Sequence, residues 1–234
     1  MNTLYVIATP IGNLDDITIR AIKTIFSVDI LACEDTRRTG MLLAELRKRH
    51  ASLLDIPETN PKLVRFDDRG ELNGAIELIT HIEEGKTVGL VSDAGTPLVS
   101  DPGYVLISQC RKRNIHVESI PGASALLTAL TSSGLPPDKF TFLGYPPEKE
   151  SHRIKLLSAI AASHASLSAT YIFYCAPHKL SETLQNMYDT FGDIHITIAR
   201  ELTKLHEEIW SGTIHEAQNN FTSPRGEIVL LFTL

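Results

Sequence analysis

Residues 88–103 read Val88-Gly89-Leu90-Val91-Ser92-Asp93-Ala94-Gly95-Thr96-Pro97-Leu98-Val99-Ser100-Asp101-Pro102-Gly103. The first four form a continuous apolar run, the pattern of a strand buried on both faces. Turn chemistry comes next: two glycines and two prolines around two carboxylates, before a helical stretch from about Tyr104 to Arg113. Moving outward, the unit repeats. Leu4–Ala8 runs into Thr9-Pro10-Ile11-Gly12-Asn13 and a helix from about Ile17. Ile30–Cys33 ends in Glu34-Asp35-Thr36-Arg37 and a helix carrying Leu42 and Leu46. Leu63–Phe66 precedes Leu72, Ile76 and Ile79, with a stop at Gly85, and His116–Ile120 runs into Pro121-Gly122-Ala123-Ser124 and a further helix. Strands alternating with helices predict an α/β fold with a mostly parallel sheet covered on both faces.

Gly134-Leu135-Pro136-Pro137-Asp138 punctuates the pattern as a linker. Beyond it come strands at Phe140–Leu143, Tyr171–Tyr174, Ile194–Ala199 and Ile228–Phe232, and helices at about Ser151–Ser163 and Leu180–Phe191, the latter closed by Gly192. The expectation is two α/β domains with mostly parallel sheets, over residues 1–134 and 138–234.

The 234 residues carry a net charge of −6, with 43% hydrophobic and 21% charged residues, which excludes a disordered or fibrous chain. No apolar run approaches the ~20 residues of a membrane span. Cys33, Cys110 and Cys175 are too few and too far apart for a disulfide framework or a metal knuckle. The nine histidines show no metal-ligand spacing, so no metal site is expected. A cytoplasmic protein with no membrane partner is the expectation.

Ligands of open α/β sheets gather at the carboxyl ends of the strands. The Thr9–Asn13 loop has one glycine, not the three of a dinucleotide fingerprint. In the Asp93–Gly103 loop, Asp93–Thr96 is placed against a ligand and Asp101 as cap of the helix at Tyr104. Ser124 stays open between a helix cap and a contact to a ligand carboxylate. Glu34, Asp35 and Arg37 form an acid/base candidate if they face the same crevice. Arg200-Glu201-Leu202-Thr203-Lys204 reads as a solvated, salt-bridged edge.

Taken in order, TPIGNLDDIT, ACEDTR, VSDAGTPLVSDPG, PGASA, ARELTK and RGEIVLL resemble the ribosomal RNA small subunit methyltransferase I family of the tetrapyrrole (corrin/porphyrin) methylase superfamily, from Leu4 to Leu231. The resemblance implies a two-domain, usually dimeric enzyme binding S-adenosylmethionine between its domains. The reaction implied is 2′-O-methylation of a cytidine ribose in the decoding region of 16S rRNA. Carried over by position, the cofactor contacts are Pro10, Ile11, Gly12, Asp93, Ala94, Gly95, Thr96, Val99, Ser124, Ala125, Tyr174, Arg200 and Glu201. Two segments depart from the family pattern. Phe66–Glu71 lacks a histidine, and Cys175 stands where a glutamate is common, with Lys179 at an often-Arg position. Candidate bases are Glu34, Asp35 and Lys204, with Arg37 orienting one of them or clamping a phosphate. Arg47–His50, Arg111–Arg113 and His152–Lys155 are candidate RNA-facing clusters. The rivals are a superfamily methylase acting on a small tetrapyrrole or protein side chain, and a non-catalytic S-adenosylmethionine-dependent RNA-binding factor.

Overall fold

The computed structural model describes residues 3–164 and 168–234. The chain divides into two compact units, Met1–Ser124 and Ala125–Leu234. The break falls ten residues before the Gly134 linker expected from sequence, because the helix between them packs on the second unit's sheet.

The first unit alternates β1 (Thr3–Ile7), α1 (Ile19–Ser27), β2 (Ile30–Cys33), α2 (Thr36–Leu54), β3 (Lys62–Arg65), α3 (Glu71–Glu83), β4 (Val88–Leu90), α4 (Tyr104–Lys112) and β5 (His116–Ile120). Its sheet runs β3-β2-β4-β1-β5, and every pairing is parallel. Alternate residues of each strand feed opposite faces, as a period of two requires. Ile7, Leu31 and Cys33 join Ile22 and Ile25 of α1 and Leu43 and Leu46 of α2. Leu4, Ile30 and Ala32 join Leu78 and Ile79 of α3 and Leu106 of α4 on the other side. The sheet is thus covered by helices on both faces, which leaves the carboxyl ends of its strands as the open ground for a ligand.

The second unit contains α5 (Ala125–Ser132), β6 (Phe140–Phe142), α6 (Glu150–His164), β7 (Thr170–Cys175), α7 (Leu180–Phe191), β8 (His195–Arg200), β9 (Glu208–Thr213), α8 (Ile214–Asn220) and β10 (Ile228–Phe232). Its sheet runs β6-β7-β10-β8-β9. Here the expectation of a mostly parallel sheet is corrected. Only β6 and β7 pair in parallel, while β10 runs antiparallel to both β7 and β8, and β9 antiparallel to β8. Parallel neighbours need a crossover of about a dozen residues or more. The seven residues 201–207 between β8 and β9 permit only a return. β9 and α8 are absent from the sequence reading. β9 is a half-exposed edge with Ser211 and Gly212 inside it, so its apolar signal is thin. α8 did carry a signal, the reciprocal capping box of Thr213 and Glu216. No helix among the described residues is long and apolar enough to cross a membrane.

Candidate active site

In the first unit, three strand-end loops meet through their backbones. Thr9 and Gly95 exchange two hydrogen bonds, Thr9 N to Gly95 O at 2.8 Å and Gly95 N to Thr9 O at 3.1 Å. The Thr96 hydroxyl donates to Ala123 O at 3.1 Å, tying in the loop after β5. Thr9 Oγ1 donates to Ser92 O at 3.2 Å beneath them. The fit leaves little room. A Cβ on Gly95, whose φ is +81°, would lie 3.2 Å from Ile11 Cγ2, and one on Gly122 would lie 2.9 Å from Ala8 Cβ. Pro10, Ile11 and Gly95 are buried, whereas Gly12, Ala94 and Gly122 are exposed, one small residue from each loop.

Beside this junction, a cleft of about 630 Å³ is lined by Glu34, Asp35 and Arg37 after β2, Arg65 at the end of β3 and Asp68 beyond it, and Asp93 after β4, among others. The Asp93 amide donates to Glu34 Oε1 at 3.3 Å. Asp93 itself accepts from the Asp35 amide at 3.3 Å and is ion-paired with Arg38 at 2.8 Å. Burial pushes the Glu34 carboxyl above its ordinary value, and the negative charges of Asp93 and Asp68 add to the shift. Asp35 has a different role. It is the N-cap of α2, accepting from the amides of Arg37 (2.8 Å) and Arg38 (3.4 Å), and those bonds hold its carboxyl below the usual range.

The expectation that Asp101 caps α4 is corrected. The cap position is Gly103, at φ +136°, and the amides of Gly103 and Val105 donate to Glu71 Oε1 at 2.9 and 3.0 Å. Glu71 closes the Phe66–Glu71 segment that departs from the family pattern. With the cap supplied from α3, Asp101 is left half-buried among acids. Burial and the charge of Glu34 push it up to about 7, against a hydrogen bond from Ser92. Sequence spacing pointed to the cap and gave no sign of this.

The second unit holds Tyr174, Arg200, Glu201 and Lys204. Tyr174 lies near the end of β7, edge-on to Phe142 (4.8 Å) and Tyr145 (5.7 Å). Arg200 ends β8 and grips Glu208 Oε2 through Nε at 3.0 Å and Nη2 at 2.8 Å. Lys204 bonds Glu201 at 2.9 Å and Glu227 at 3.0 Å. Burial pulls the Lys204 ammonium down, but its two carboxylate partners outweigh this and hold it above the usual lysine range.

Non-glycine residues seldom adopt positive φ, and such strain persists where surroundings impose it. Among the described residues there are six: Asp55, Leu98, Ser100, Asn114, Glu201 and Thr203. Asp55 and Asn114 follow helices, where a left-handed residue is ordinary. The other four come in pairs, Leu98 and Ser100 flanking Val99, and Glu201 and Thr203 after Arg200. Both pairs sit in loops with predicted cofactor contacts.

In two of the expected basic clusters, arginines are spent on the fold. Arg47 donates to Pro57 O, to Thr59 O at 3.3 Å and to Asn60 Oδ1 at 2.6 Å, and lies 4.8 Å over the Phe26 ring. Its neighbours Lys48 and Arg49 both pair with Glu45. Arg153 is 3% exposed and bonds Asn186 Oδ1 at 2.7 Å and Pro147 O at 3.1 Å. Among the described residues no group of three or more His, Cys, Asp or Glu is placed to hold a metal ion.

The family model of tetrapyrrole (corrin/porphyrin) methylases matches residues 3–218. Ribosomal RNA small subunit methyltransferase I of Synechocystis is 43% identical over 99% of this chain and 78% of its own length. The Thermotoga maritima protein of the same name is 39% identical over 100% of this chain and 99% of its own. The chain belongs to the ribosomal RNA small subunit methyltransferase I family. As a member of this family it is a methyltransferase. Solved structures of lower identity share the fold. Diphthine synthase superposes with a TM-score of 0.70 at 14% identity, covering 98% of this chain and 89% of that one. Uroporphyrin-III C-methyltransferase of Thermus thermophilus, complexed with S-adenosylhomocysteine, superposes with a TM-score of 0.66 at 15% identity, over 98% and 96%.

Proposed function

We propose that this chain methylates the 2′-hydroxyl of a cytidine ribose in the decoding region of 16S rRNA, within the small ribosomal subunit. The methyl donor is S-adenosylmethionine. The observation that carries this reading is the backbone junction of Thr9, Gly95 and Thr96 with Ala123, in a chain of this family. The junction suits a nucleoside-sized donor. Gly12, Ala94 and Gly122 are exposed and small, so a ligand can approach the main chain of all three loops. Pro10, Ile11, Asp93, Thr96, Val99 and Ser124 line or support that ground in the first unit, while Ala125, Tyr174, Arg200 and Glu201 are the cofactor contacts that the family resemblance implies in the second.

When bound, the donor supplies a methyl group on a positively charged sulfur. The protein must hold the ribose oxygen in a near-attack pose and remove its proton. Among the four catalytic candidates Glu34 suits the base. It faces the cleft and its pKa is raised by burial. Asp101, pushed up to about 7 by burial and by the charge of Glu34, adds a second raised carboxyl to the same region. Asp35 is occupied by the helix cap and Lys204 is held protonated, which suits neither as base. Arg37 lines the cleft and takes the phosphate.

The reading includes a cytoplasmic homodimer. Leu72 and Ile76, 59% and 51% exposed one turn apart on α3, offer an apolar strip for a second copy, which sedimentation tests. The deciding experiment is radiolabelled methyl transfer to small subunits from a strain lacking the enzyme. Label should be retained in an alkali-resistant dinucleotide, because a 2′-O-methyl group blocks cleavage of the adjoining phosphodiester. Label on a base would overturn the ribose reading, and RNA binding without transfer would leave a non-catalytic factor.

A further inference from the structure

β9 and the segment after α8 build a second recess, wholly within the second unit. Trp210 is half-buried on β9, and the six-membered part of its indole lies over Gly212. A Cβ there would fall 2.6 Å from Cζ2 and 2.7 Å from Cη2. Phe221, buried, meets the indole edge-on, with ring centroids 5.4 Å apart and planes at 80°. The ring is thus fixed from two sides before any ligand arrives. It walls a hollow of about 620 Å³ whose other sides include Arg200, Glu208 and the segment Thr222–Arg225. A neighbouring hollow of about 420 Å³ shares Thr222–Arg225 and is bounded by His178 and Ser181.

The charge along this surface is positive on balance. Glu208 is the only carboxylate lining either hollow among the described residues, and Arg200 already neutralises it. Arg225 lines both hollows. Its backbone carbonyl accepts from Arg200 at 3.2 Å, its side chain is exposed, and its guanidinium makes no ion pair among the described residues. A pre-fixed aromatic wall beside an unneutralised guanidinium, with the hydroxyls of Ser181, Thr222 and Ser223 alongside, matches what single-stranded nucleic acid presents: a flat base and the phosphate next to it. An acidic peptide would use the guanidinium but leave the indole idle.

We propose that the paired hollows bind a single-stranded segment of RNA, one base packing against Trp210 and an adjacent phosphate resting on Arg225. This rests on the reading of the chain as an rRNA methyltransferase and adds to it an RNA contact in the second unit. The departures from the family pattern at Cys175 and Lys179 do not touch it, since Cys175 is buried and Lys179 is paired with Glu148 and Glu182.

Trp210 is the sole tryptophan, so intrinsic fluorescence reports on this site alone. The full chain is titrated with a short, pyrimidine-rich single-stranded RNA, and binding is followed in parallel by anisotropy of the labelled RNA. Expected is a fluorescence change that tracks the anisotropy. Arg225→Ala should weaken binding and reduce the salt slope by about one ion. Trp210→Ala should weaken it about tenfold, and Trp210→Phe by less. Arg225 is on the surface, so its variant tests the site even if Trp210→Ala fails to fold. RNA that binds and is methylated, with silent fluorescence and an unchanged salt slope in Arg225→Ala, would overturn the inference and leave the methyltransferase reading standing. A fluorescence change produced equally by S-adenosylhomocysteine alone would also overturn it, by giving the recess to the cofactor. Failure of the wild type both to bind RNA and to methylate small subunits would remove the reading beneath it.

Discussion

The loops at 93–103 and 200–207 share a backbone signature and differ in their charges. Each carries two non-glycine residues at positive φ, Leu98 and Ser100 in one, Glu201 and Thr203 in the other. In the second loop the charged side chains around the strain are paired. Arg200 holds Glu208, and Lys204 holds Glu201 and Glu227, while Glu201 also accepts the Glu227 amide at 2.9 Å. That amide and the Lys204 bond lower the Glu201 carboxyl, so this loop is locked in its ionised state. The first loop is built the other way. Asp101 and Glu34 sit half-buried, raised by burial and by neighbouring negative charge, and among the described residues neither carboxylate forms an ion pair. One strained loop holds its acids in salt bridges, whereas the other pairs Asp93 with Arg38 and leaves Asp101 raised by burial and by the charge of Glu34. The proposed proton transfer draws on the second kind.

The largest way to break this contrast is at the backbone junction. Gly95→Val places a β-branched side chain at φ +81°, against Ile11, in the residue that bridges Thr9. The variant is expected to lose S-adenosylmethionine binding in calorimetry while keeping its circular dichroism. A folded variant with normal affinity would detach the loop from the cofactor.

Next in size are the acids. Glu34→Gln should cut single-turnover methyl transfer by ~10²-fold or more with cofactor affinity nearly intact. In the wild type, transfer should climb with pH through the titration of Glu34, which burial raises above its ordinary value, because a base acts only when deprotonated. Burial raises Asp101 in the same way, to about 7. Stability depends on pH through the same shift. A carboxyl raised in the folded state stabilises it fully below the unfolded pKa, and that contribution fades as pH rises through about 7. Asp101→Asn should therefore raise Tm relative to wild type at pH 8 and not at pH 4. Equal Tm differences at both pH values would contradict the burial of this carboxyl.

How far the sequence discloses this contrast depends on which forces are local. The parallel sheet of the first unit was legible because its strands read as apolar or alternating runs between turn signals, and Ile30–Cys33 and His116–Ile120 fall where expected. The three-loop junction was legible too, since glycine and proline mark turns wherever they fold. The antiparallel return of β9 was not, because Ser211, Gly212 and an exposed face dilute its pattern. Asp101 misled for a non-local reason. Its spacing to Tyr104 suits a cap, but Glu71, thirty-two residues before Gly103, supplies the acceptor. Likewise Arg47 and Arg153 look like solvent-facing charge until Asn60 and Asn186 are seen against them.

A smaller effect is expected at Asp35, the acid of the first unit whose chemistry is spent. Asp35→Ala leaves the amides of Arg37 and Arg38 without their cap and should lower Tm by a few degrees. The folded fraction should then transfer methyl at nearly the wild-type rate. A loss as large as that of Glu34→Gln, at unchanged Tm, would make Asp35 the base and return Glu34 to a supporting place.

The smallest effect on RNA is expected where the sequence shows the most positive charge. Arg47, Lys48 and Arg49 lie on α2, and a surface of three free cations would release counterions on binding and steepen the salt dependence. The structure gives each of them work: Arg47 ties the 57–60 segment to α2 and covers Phe26, and Lys48 and Arg49 answer Glu45 and Asp15. Changing all three to Ala should therefore lower Tm, mainly through Arg47, whose three acceptors lose their donor. The slope of RNA affinity against salt should change by less than in Arg225→Ala alone. Filter binding over a salt series, on both variants in parallel, checks this directly. A larger drop in slope for the triple variant would move the RNA contact to α2 and reverse the order of the two surfaces.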